Sequence, residues 1–528
     1  MTRKKVLIVF AALLMGLMSL ELRLLLLMTD TELAEAAAAQ STRTVELAQL
    51  RPDFYDINGE PLTGEGERTL ALVFPKTAAG YALLPHIEEC GQLEFLENME
   101  GSQPFAVEIG AQGLSTAQKT LSVAKRFGND ALCAHLIGTL DAQGNGASGL
   151  EYALEGYLSE HSQTLLASYE VNANGELKSG EAVEITRRGS LGAGVALTID
   201  KRVQRIVESA AADKIERGAV VVLDAETAEL RALASFPSFN QNDIAAYIND
   251  ERLPLFNRAL AAYNVGSIYK PVIATSALGA GVSEGWYFNC IGELEVNGHS
   301  YACNDSKAHG ELDMRGAVVN SCNTYFIALV QELGANAIFN TAASLGLNRP
   351  LELCEGLSTA ASSFPSARSL AQTGELCNHC FGQGTLLLTP LHVATYTRCI
   401  AMGGMYLEPT VIKSVGGKII EPPQASRALA ESAADTVAEL MREAVQSGTG
   451  QNAKPQKRTA AGKTGTAQTG RYDESGAELT IGWFTGWFPA EEPKYIVTVM
   501  TEDGGYGFES AAPVFADIAN GICAAGLA

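Results

Sequence analysis

Ser267 and Lys270 stand three residues apart in a Ser-x-x-Lys sequence, which pairs a hydroxyl with an amine that could accept its proton. A serine hydroxyl is a poor nucleophile until a base accepts its proton, and a desolvated lysine near other cations can be neutral enough to do so. Pro271 follows directly, and because a proline deep in a helix clashes with the carbonyl four residues back, a helix here must begin near Ser267. The backbone N–H of Ser267 is then unpaired and can stabilise an oxyanion, with Lys270 on the same face. The spacing predicts covalent catalysis by Ser267 with Lys270 as proton-transfer partner.

A second polar pair, Ser321 and Asn323, follows in a Ser-x-Asn triplet with Cys322 at its centre. The pattern is common, and residues 238–240 also match it. Residues 321–323 are the better candidate of the two, because they follow Ser267 in the chain and stand beside a helix-like stretch. We interpret Ser321 as a proton relay to a leaving amine and Asn323 as a group that holds a substrate amide.

A third element consists of Lys463, Thr464, Gly465 and Thr466. A cation at position 463 can raise the local potential for a substrate carboxylate and for Lys270. Gly465 lacks a side chain and permits a close approach of the backbone. We therefore expect residues 463–466 to form one wall of the site that contains Ser267.

The Gly-Lys-Thr triplet at residues 462–464 is also how a phosphate-binding P-loop ends. That loop needs a glycine five residues before Gly462, where this sequence has Lys457. The phosphate-binding interpretation is therefore rejected.

The chain as a whole has the composition of a folded protein of two or three domains. It has 528 residues, of which 47% are hydrophobic and 19% charged. The formal net charge is −22, with no basic run beyond the first five residues, which argues against nucleic acid as a partner.

The N-terminus has the pattern of a membrane anchor. Cations at residues 3–5 precede a mainly apolar stretch at residues 6–28, which is long enough to cross a bilayer. Positive charge before the stretch predicts a cytoplasmic tail at residues 1–5 and an extracytoplasmic position for all that follows. A cleaved signal peptide is the alternative, because Ala36–Ala39 offers the small residues that a signal peptidase accepts.

The remaining chain divides by composition near residue 188. Residues 29–188 mix short strands and helices without catalytic motifs and are interpreted as a non-catalytic pedestal. Residues 189–528 carry all three elements. Within them, residues 218–235 have two β-rich runs around a polar turn, residues 271–278 and 432–446 favour helices, and residues 495–503 favour a strand. The predicted fold class is α+β, with an antiparallel sheet and flanking helices.

Several of the ten cysteines invite a metal or disulfide interpretation. Cys377, His379 and Cys380 could supply zinc ligands, with Cys354 as a fourth. Buried free thiols are the alternative.

Another cysteine pair, Cys290 and Cys303, flanks the hairpin signal Asn297-Gly298. The two cysteines could therefore face each other and form a disulfide.

Ser-x-x-Lys, Ser-x-Asn and Lys-Thr-Gly in this order resemble the signature of penicillin-binding proteins and serine β-lactamases. Further blocks similar to penicillin-binding proteins are FGQGTLLLTPLHVA at residues 381–394, SGTG at 447–450 and IGWFTGWFPA at 481–490. The resemblance covers residues 190–528 and a junction near residues 43–64.

The resemblance implies a monofunctional class B peptidoglycan D,D-transpeptidase that cross-links stem peptides through an acyl-enzyme on Ser267. The oxyanion would lie between the backbone N–H groups of Ser267 and Thr466, and the Thr464 and Thr466 hydroxyls would bind the terminal carboxylate. β-Lactams would acylate the same serine. No cofactor is implied. The expected setting is the cell membrane, with a single-pass anchor and other cell-wall synthesis proteins as partners.

The sequence departs from the family at Val265, where a proline is usual, and at Cys322. Two alternatives share the three motifs: a β-lactam-hydrolysing or β-lactam-sensing protein, and a catalytically silent cell-wall scaffold. The long pedestal argues against a β-lactam-hydrolysing protein, because such proteins are compact. The intact Ser267, Lys270 and Lys463 argue against a catalytically silent scaffold.

Overall fold

The computed structural model describes residues 2–33, 35, 41–110, 119–171, 183–303 and 306–528. The candidate cleavage segment Ala36–Ala39 lies outside the described residues. The strands in chain order are β1 Thr42–Leu50, β2 Phe54–Tyr55, β3 Glu67–Val73, β4 Phe105–Ile109, β5 Thr120–Ala124, β6 Gln163–Glu170, β7 Glu184–Arg188, β8 Val195–Leu197, β9 Gly218–Asp224, β10 Leu230–Phe236, β11 Phe288–Cys290, β12 Glu293–Val296, β13 His299–Ala302, β14 Gly310–Leu312, β15 Glu352–Cys354, β16 Leu357–Ser358, β17 Met405–Tyr406, β18 Ile412–Val415, β19 Lys418–Ile419, β20 Ser426–Arg427, β21 Ala461–Tyr472, β22 Glu478–Phe488 and β23 Tyr495–Thr501.

The α-helices in chain order are α1 Arg3–Thr29, α2 Ala78–Tyr81, α3 Glu89–Glu100, α4 Ala134–Ile137, α5 Gly149–Ala153, α6 Glu155–Glu160, α7 Lys201–Ala211, α8 Lys270–Gly279, α9 Met314–Val319, α10 Asn323–Leu333, α11 Ala335–Ser344, α12 Ala367–Leu370, α13 Thr373–His379, α14 Pro390–Ala401, α15 Glu431–Gln446 and α16 Gly507–Ala524. Short 3₁₀ turns are Leu84–His86, Ile244–Tyr247, Gly266–Tyr269 and Gln451–Ala453.

The chain forms two compact units that alternate along the sequence. The smaller consists of Met1–Arg51, Gly66–Lys125 and His161–Leu191, and the larger of Pro52–Glu65, Arg126–Glu160 and Gly192–Ala528. The larger unit thus takes in two segments that the sequence analysis assigned to the pedestal, because their apolar side chains, such as those of Phe54 and Leu150, are buried in its core. The pedestal role of residues 29–188 stays a prediction.

The smaller unit contains α1, which is the helix among the described residues that is long and apolar enough to cross a membrane, with a mean hydropathy of 2.1. Its 27 residues span about 40 Å at 1.5 Å per residue, which is sufficient for a bilayer core. The unit also has two antiparallel three-stranded sheets, ordered β1-β6-β7 and β4-β3-β5. In β3, Leu70 and Leu72 join one apolar cluster while Ala71 and Val73 join another, as the two-residue period of a strand requires.

The larger unit is built around a five-stranded antiparallel sheet of order β10-β9-β23-β22-β21. Both faces are buried. On β9, Val220 and Val222 pack with α7 and α16, while Val221 and Leu223 join the opposite cluster with α8 and α14. The predicted α+β class with an antiparallel sheet and flanking helices is confirmed.

The local predictions within this unit agree with the structure. The hairpin β9–β10 turns where the Asp224 carboxylate accepts hydrogen bonds from the backbone N–H groups of Glu226 and Thr227. Helices α8 and α15 and strand β23 occupy the stretches predicted for them. Helix α8 is buried from Lys270 to Ala277, so it runs through the core and carries its first residues to the site.

Candidate active site

Ser267 lies in the single 3₁₀ turn Gly266–Tyr269, which leads directly into α8. The helix start near Ser267 predicted from Pro271 is confirmed. Gly266 has a φ of +60°, and a Cβ atom there would lie 2.4 Å from the Thr466 carbonyl oxygen. A glycine is therefore required immediately before Ser267, both for its backbone conformation and for the approach of β21.

The loop of the FGQG block supports this turn from the other side. The Gly266 N–H donates a 2.9 Å hydrogen bond to the Gly382 carbonyl. Gly382 itself has a φ of +73°, and a Cβ there would lie 2.1 Å from the Gly266 carbonyl oxygen. In addition, the Tyr396 hydroxyl donates a 2.7 Å hydrogen bond to the Ile268 carbonyl. The turn carrying Ser267 is thus fixed by backbone contacts that leave no room for side chains.

The Lys270 ammonium connects the first two sequence elements. Its Nζ donates hydrogen bonds to the Ser321 carbonyl at 2.6 Å, the Ser321 Oγ at 3.2 Å and the Asn323 Oδ1 at 2.6 Å. Burial lowers the pKa of Lys270 to about 8, and the neighbouring thiols of Cys322, Cys303 and Cys380 oppose part of that shift. A neutral amine is therefore accessible close to physiological pH, as a proton acceptor requires.

The Ser-x-Asn triplet occupies the junction between α9 and α10. Ser321 adopts a left-handed backbone conformation with a φ of +56°, which is unusual for a residue with a side chain. Cys322 is the N-cap of α10, and its Sγ accepts a 3.4 Å hydrogen bond from the Tyr325 N–H. Asn323 is the first residue of that helix. The cap and the turn together direct Ser321 and Asn323 towards Lys270.

Strand β21 carries the third element. Lys463 is fully buried, and burial, with a smaller contribution from the Lys270 charge, lowers the pKa of Lys463 well below its usual value. Its Nζ donates to the Thr464 carbonyl at 3.2 Å and to the Thr449 Oγ1 at 3.4 Å, while the Thr464 hydroxyl donates to the same Thr449 oxygen at 2.9 Å. Thr449 belongs to the SGTG block, whose role the sequence analysis did not assign.

Gly465 lies where β21 passes the Ser267 turn. A Cβ there would be 3.0 Å from both the Ile268 nitrogen and the Val265 carbonyl oxygen, so the close approach predicted for this glycine is confirmed. The neighbouring Thr466 Oγ1 accepts a 3.2 Å hydrogen bond from the Gly507 N–H.

These elements enclose a cleft of about 460 Å³. Of the predicted residues, Ser267, Ser321, Thr464, Gly465 and Thr466 line it. The other lining residues were not predicted from the sequence, and they are Lys307, His309, Asn320, Ser447, Gly448, Thr449, Tyr506 and Phe508. The Tyr506 and Phe508 rings, with centroids 5.6 Å apart, are exposed at the cleft, and exposed aromatic pairs leave no periodic signal in a sequence.

The zinc ligand set considered as a possibility for Cys377, His379 and Cys380 does not assemble. The His379 Nε2 is hydrogen-bonded to the Tyr269 hydroxyl at 3.1 Å, whereas the Cys380 thiol donates to the Cys377 carbonyl at 3.0 Å. The Cys377 Sγ instead accepts a hydrogen bond from the Gln331 side chain. The three side chains therefore have separate partners.

Among the described residues, a different group converges: Cys290, Cys303, His309 and Cys322, whose ligand atoms all lie within 4.8 Å of one another. The hairpin predicted at Asn297 is confirmed, since β12 pairs with β13 around it and brings Cys290 and Cys303 together. Both cysteines are free thiols, so the disulfide that the sequence left possible is not formed.

The sequence profile of the penicillin binding protein transpeptidase domain matches residues 218–520. The peptidoglycan D,D-transpeptidase MrdA of Acinetobacter baumannii is 31% identical over 364 residues, which cover 60% of this chain and 53% of MrdA. The peptidoglycan D,D-transpeptidase FtsI of Escherichia coli K12 is 28% identical over 404 residues, covering 74% of this chain and 65% of FtsI. The chain thus spans between half and two thirds of the length of these relatives.

A solved structure has the same fold. Penicillin-binding protein PBP2 of Helicobacter pylori, in complex with MreC, has a TM-score of 0.69 at 22% identity, covering 92% of this chain and 99% of PBP2. The profile match extends over more than half of the chain and contains all three sequence elements of the cleft. This chain therefore belongs to the penicillin-binding protein transpeptidase family, alongside the class B proteins MrdA and FtsI.

Proposed function

We propose that this chain is a class B peptidoglycan D,D-transpeptidase, which cross-links stem peptides through an acyl-enzyme on Ser267 and is acylated by β-lactams at the same residue. One observation carries the proposal. The buried Lys270, three residues after Ser267, donates hydrogen bonds to both Ser321 and Asn323, so a proton acceptor and a proton relay lie in one network beside the serine. Family membership and the D,D-transpeptidase names of MrdA and FtsI support the same reaction.

In the first half-reaction, the Ser267 oxygen attacks the carbonyl carbon of a D-Ala-D-Ala bond while the neutral Lys270 amine accepts the hydroxyl proton. The oxyanion receives hydrogen bonds from the backbone N–H groups of Ser267 and Thr466. The C–N bond then breaks, and D-alanine leaves as an amine after receiving a proton through Ser321. An ester on Ser267 remains.

In the second half-reaction, an amine of a neighbouring stem peptide attacks that ester. The amine gives up a proton to the network of Ser321 and Lys270, the Ser267 oxygen regains a proton, and the new amide is the cross-link. Every proton passes between groups of the chain and its substrates, so the proposed chemistry needs no cofactor.

Substrate binding is assigned to the opposite wall of the cleft. Thr464 and Thr466 bind the terminal carboxylate with their hydroxyls, and Lys463 supplies the positive potential behind them. Gly465 lets β21 lie close against the Ser267 turn, so that these groups face the serine. Asn323 holds the amide of the donor peptide.

The setting that fits these roles is the cell membrane, with α1 as a single-pass anchor and the cleft on the extracytoplasmic side, where peptidoglycan lies. Other cell-wall synthesis proteins are the partners we propose. The H. pylori relative in complex with MreC supports this class of partner.

The test uses the full chain in detergent, incubated with a fluorescent penicillin. Mass spectrometry of the peptide carrying Ser267 should find one adduct, and Ser267→Ala should abolish labelling. Ser238→Ala removes the exposed serine of the rival Ser-x-Asn triplet and is the matched control, which should label as the unsubstituted chain does.

The decay of the adduct separates the alternatives. An adduct that persists for many minutes agrees with a transpeptidase, whereas loss within seconds indicates a β-lactam hydrolase. A folded protein with no adduct on Ser267 indicates a silent scaffold and refutes the proposal.

A further inference from the structure

The cleft has no acidic side chain among the residues that the structure describes, although the chain has a net charge of −22. Its lining consists of glycines and of hydroxyl, amide and aromatic side chains, together with the imidazole of His309 and the exposed ammonium of Lys307. A concave surface that lacks anions and contains a cation focuses positive potential and attracts negatively charged ligands. The cleft is therefore suited to a substrate that carries negative charge.

The terminal carboxylate of a stem peptide accounts for only one such charge. In the proposed function it binds Thr464 and Thr466 on β21, with the buried Lys463 behind them. Lys307 belongs to a different part of the cleft, because it stands in the connection between β13 and β14. A second cation of the cleft thus has no ligand in the reaction described so far.

The Lys307 side chain is available to bind, while its main chain is held in place. The ammonium is exposed and has no salt-bridge partner among the residues whose positions are described. The preceding Ser306 N–H donates a 3.0 Å hydrogen bond to the Cys303 carbonyl, and a Cβ on Gly292 would lie 2.5 Å from the Ser306 carbonyl oxygen. The cation is therefore presented from a fixed backbone.

This backbone lies beside the triplet that holds the donor peptide. Cys303, whose carbonyl anchors the turn before Lys307, has its Sγ 3.7 Å from the Sγ of Cys322 at the centre of the triplet. The neighbouring Asn323 is assigned to the amide of the donor, so the residues that precede D-Ala-D-Ala pass this side of the cleft. A carboxylate on a donor side chain would come within reach of the Lys307 ammonium.

We propose that Lys307 is a specificity-determining residue, which selects acyl donors that have a free side-chain carboxylate on the residue before D-Ala-D-Ala. The carboxylate pairs with the Lys307 ammonium, and a donor with a neutral carboxamide in its place loses that pair. A lysine ammonium is a point charge on a flexible stem, which suits a carboxylate on an equally flexible side chain. This inference rests on the proposed function, because it names the substrate of the same site.

The first test compares two penicillins that differ by one carboxylate. Carbenicillin is benzylpenicillin with an extra carboxylate on the acyl side chain, and that side chain takes the place of the residue before D-Ala-D-Ala. The second-order rate constants for acylation of the full chain in detergent are measured by intact-protein mass spectrometry. The ratio of the two constants, carbenicillin to benzylpenicillin, is the readout, because a loss of folded protein does not change it.

We expect this ratio to fall by about two- to fivefold in Lys307→Gln, the range of a partly exposed ion pair, and to be preserved in Lys307→Arg. Lys418→Gln removes an exposed ammonium on β19 and is the matched control, which should keep the ratio of the unsubstituted chain. An unchanged ratio in Lys307→Gln overturns the proposal.

Ionic strength gives a second reading of the same ratio. The difference between the unsubstituted chain and Lys307→Gln should shrink from about 0.05 M to about 0.5 M NaCl, because counterions screen an exposed charge pair. A difference that does not depend on salt contradicts an ionic contact at Lys307.

The second test uses peptide donors of the form acyl-X-D-Ala-D-Ala, in which X has either a free side-chain carboxylate or the corresponding carboxamide. Release of D-alanine should be about two- to fivefold faster from the free acid in the unsubstituted chain, and Lys307→Gln should lose this preference. Equal release from the two peptides overturns the proposal. No release from either peptide, together with no penicillin adduct on Ser267, refutes the proposed function itself, so the two failures are distinguishable.

Discussion

The Lys270 Nζ donates a 2.6 Å hydrogen bond to the Asn323 Oδ1, which joins a residue of α8 to the first residue of α10 in the buried part of the site. An amide oxygen accepts this bond without adding charge, so burial remains the main influence on the lysine and lowers the pKa of Lys270 to about 8. A carboxylate in the same place would favour the ammonium form instead.

The pH dependence of acylation follows from that pKa. The amine accepts a proton only when it is neutral, and the neutral fraction increases as the pH rises through the lowered pKa of Lys270. We therefore expect the second-order rate constant for penicillin labelling to rise up to about pH 8 and then level off. This rate constant can be measured by stopped-flow fluorescence. A labelling rate that is constant from about pH 6 to about pH 9 would exclude Lys270 as the proton acceptor.

Asn323→Asp should move this profile to higher pH. The new carboxylate would lie beside the ammonium and raise the pKa of Lys270, so the midpoint should increase by about one pH unit or more. Asn340→Asp, at an exposed position on α11, makes the same chemical change far from Lys270 and should leave the midpoint unchanged. A downward shift in Asn323→Asp would contradict the assigned hydrogen bond.

Thr449→Val should slow acylation although Thr449 is not in any of the three sequence elements. The substitution keeps the side-chain shape but removes the oxygen that accepts hydrogen bonds from Lys463 and Thr464. One lost hydrogen bond of about 1 kcal/mol predicts a decrease of about five- to tenfold in the labelling rate. Thr436→Val on α15 is the control. Equal labelling rates in Thr449→Val and Thr436→Val would show that Thr449 does not contribute to acylation.

Gly382→Ala tests the backbone contacts behind Ser267. The added Cβ would meet the Gly266 carbonyl at 2.1 Å in a residue that already has a positive φ. We expect a loss of more than about 2 kcal/mol in the free energy of unfolding, or loss of labelling in chain that still folds.

Gly417→Ala is the matched control for that substitution. Gly417 has a φ of +81° but open space around its Cα, so only the backbone strain of about 1 kcal/mol should appear, with normal labelling. Chemical denaturation gives the free energy of unfolding of both variants. An equal loss in the two would mean that the contact between Gly382 and Gly266 does not contribute to stability.

Local chemistry made part of the site predictable from sequence. Pro271 determines where α8 can begin, and that start places Ser267 in the preceding turn. The order of the three elements then indicated the family, and the two β-rich runs around a polar turn at residues 218–235 indicated an antiparallel sheet.

Contacts between distant segments were not predictable in the same way. Thr449 reaches Lys463 only because α15 ends beside β21. Cys377, His379 and Cys380 were considered as zinc ligands because they are close in sequence, but they lie on one short helix and its end and have separate partners. Helix neighbours two residues apart point in different directions, so proximity in sequence was misleading there.

The packing around Gly266 has a consequence for how this protein could change over evolutionary time. Thr466, Gly382 and the turn of Ser267 meet without room for one methyl group, so the location of Ser267 depends largely on main-chain contacts. Under the proposed function, substitutions that change the rate of β-lactam acylation are therefore expected at Tyr506 and Phe508, which line the cleft and whose exposed rings can be exchanged without moving Ser267.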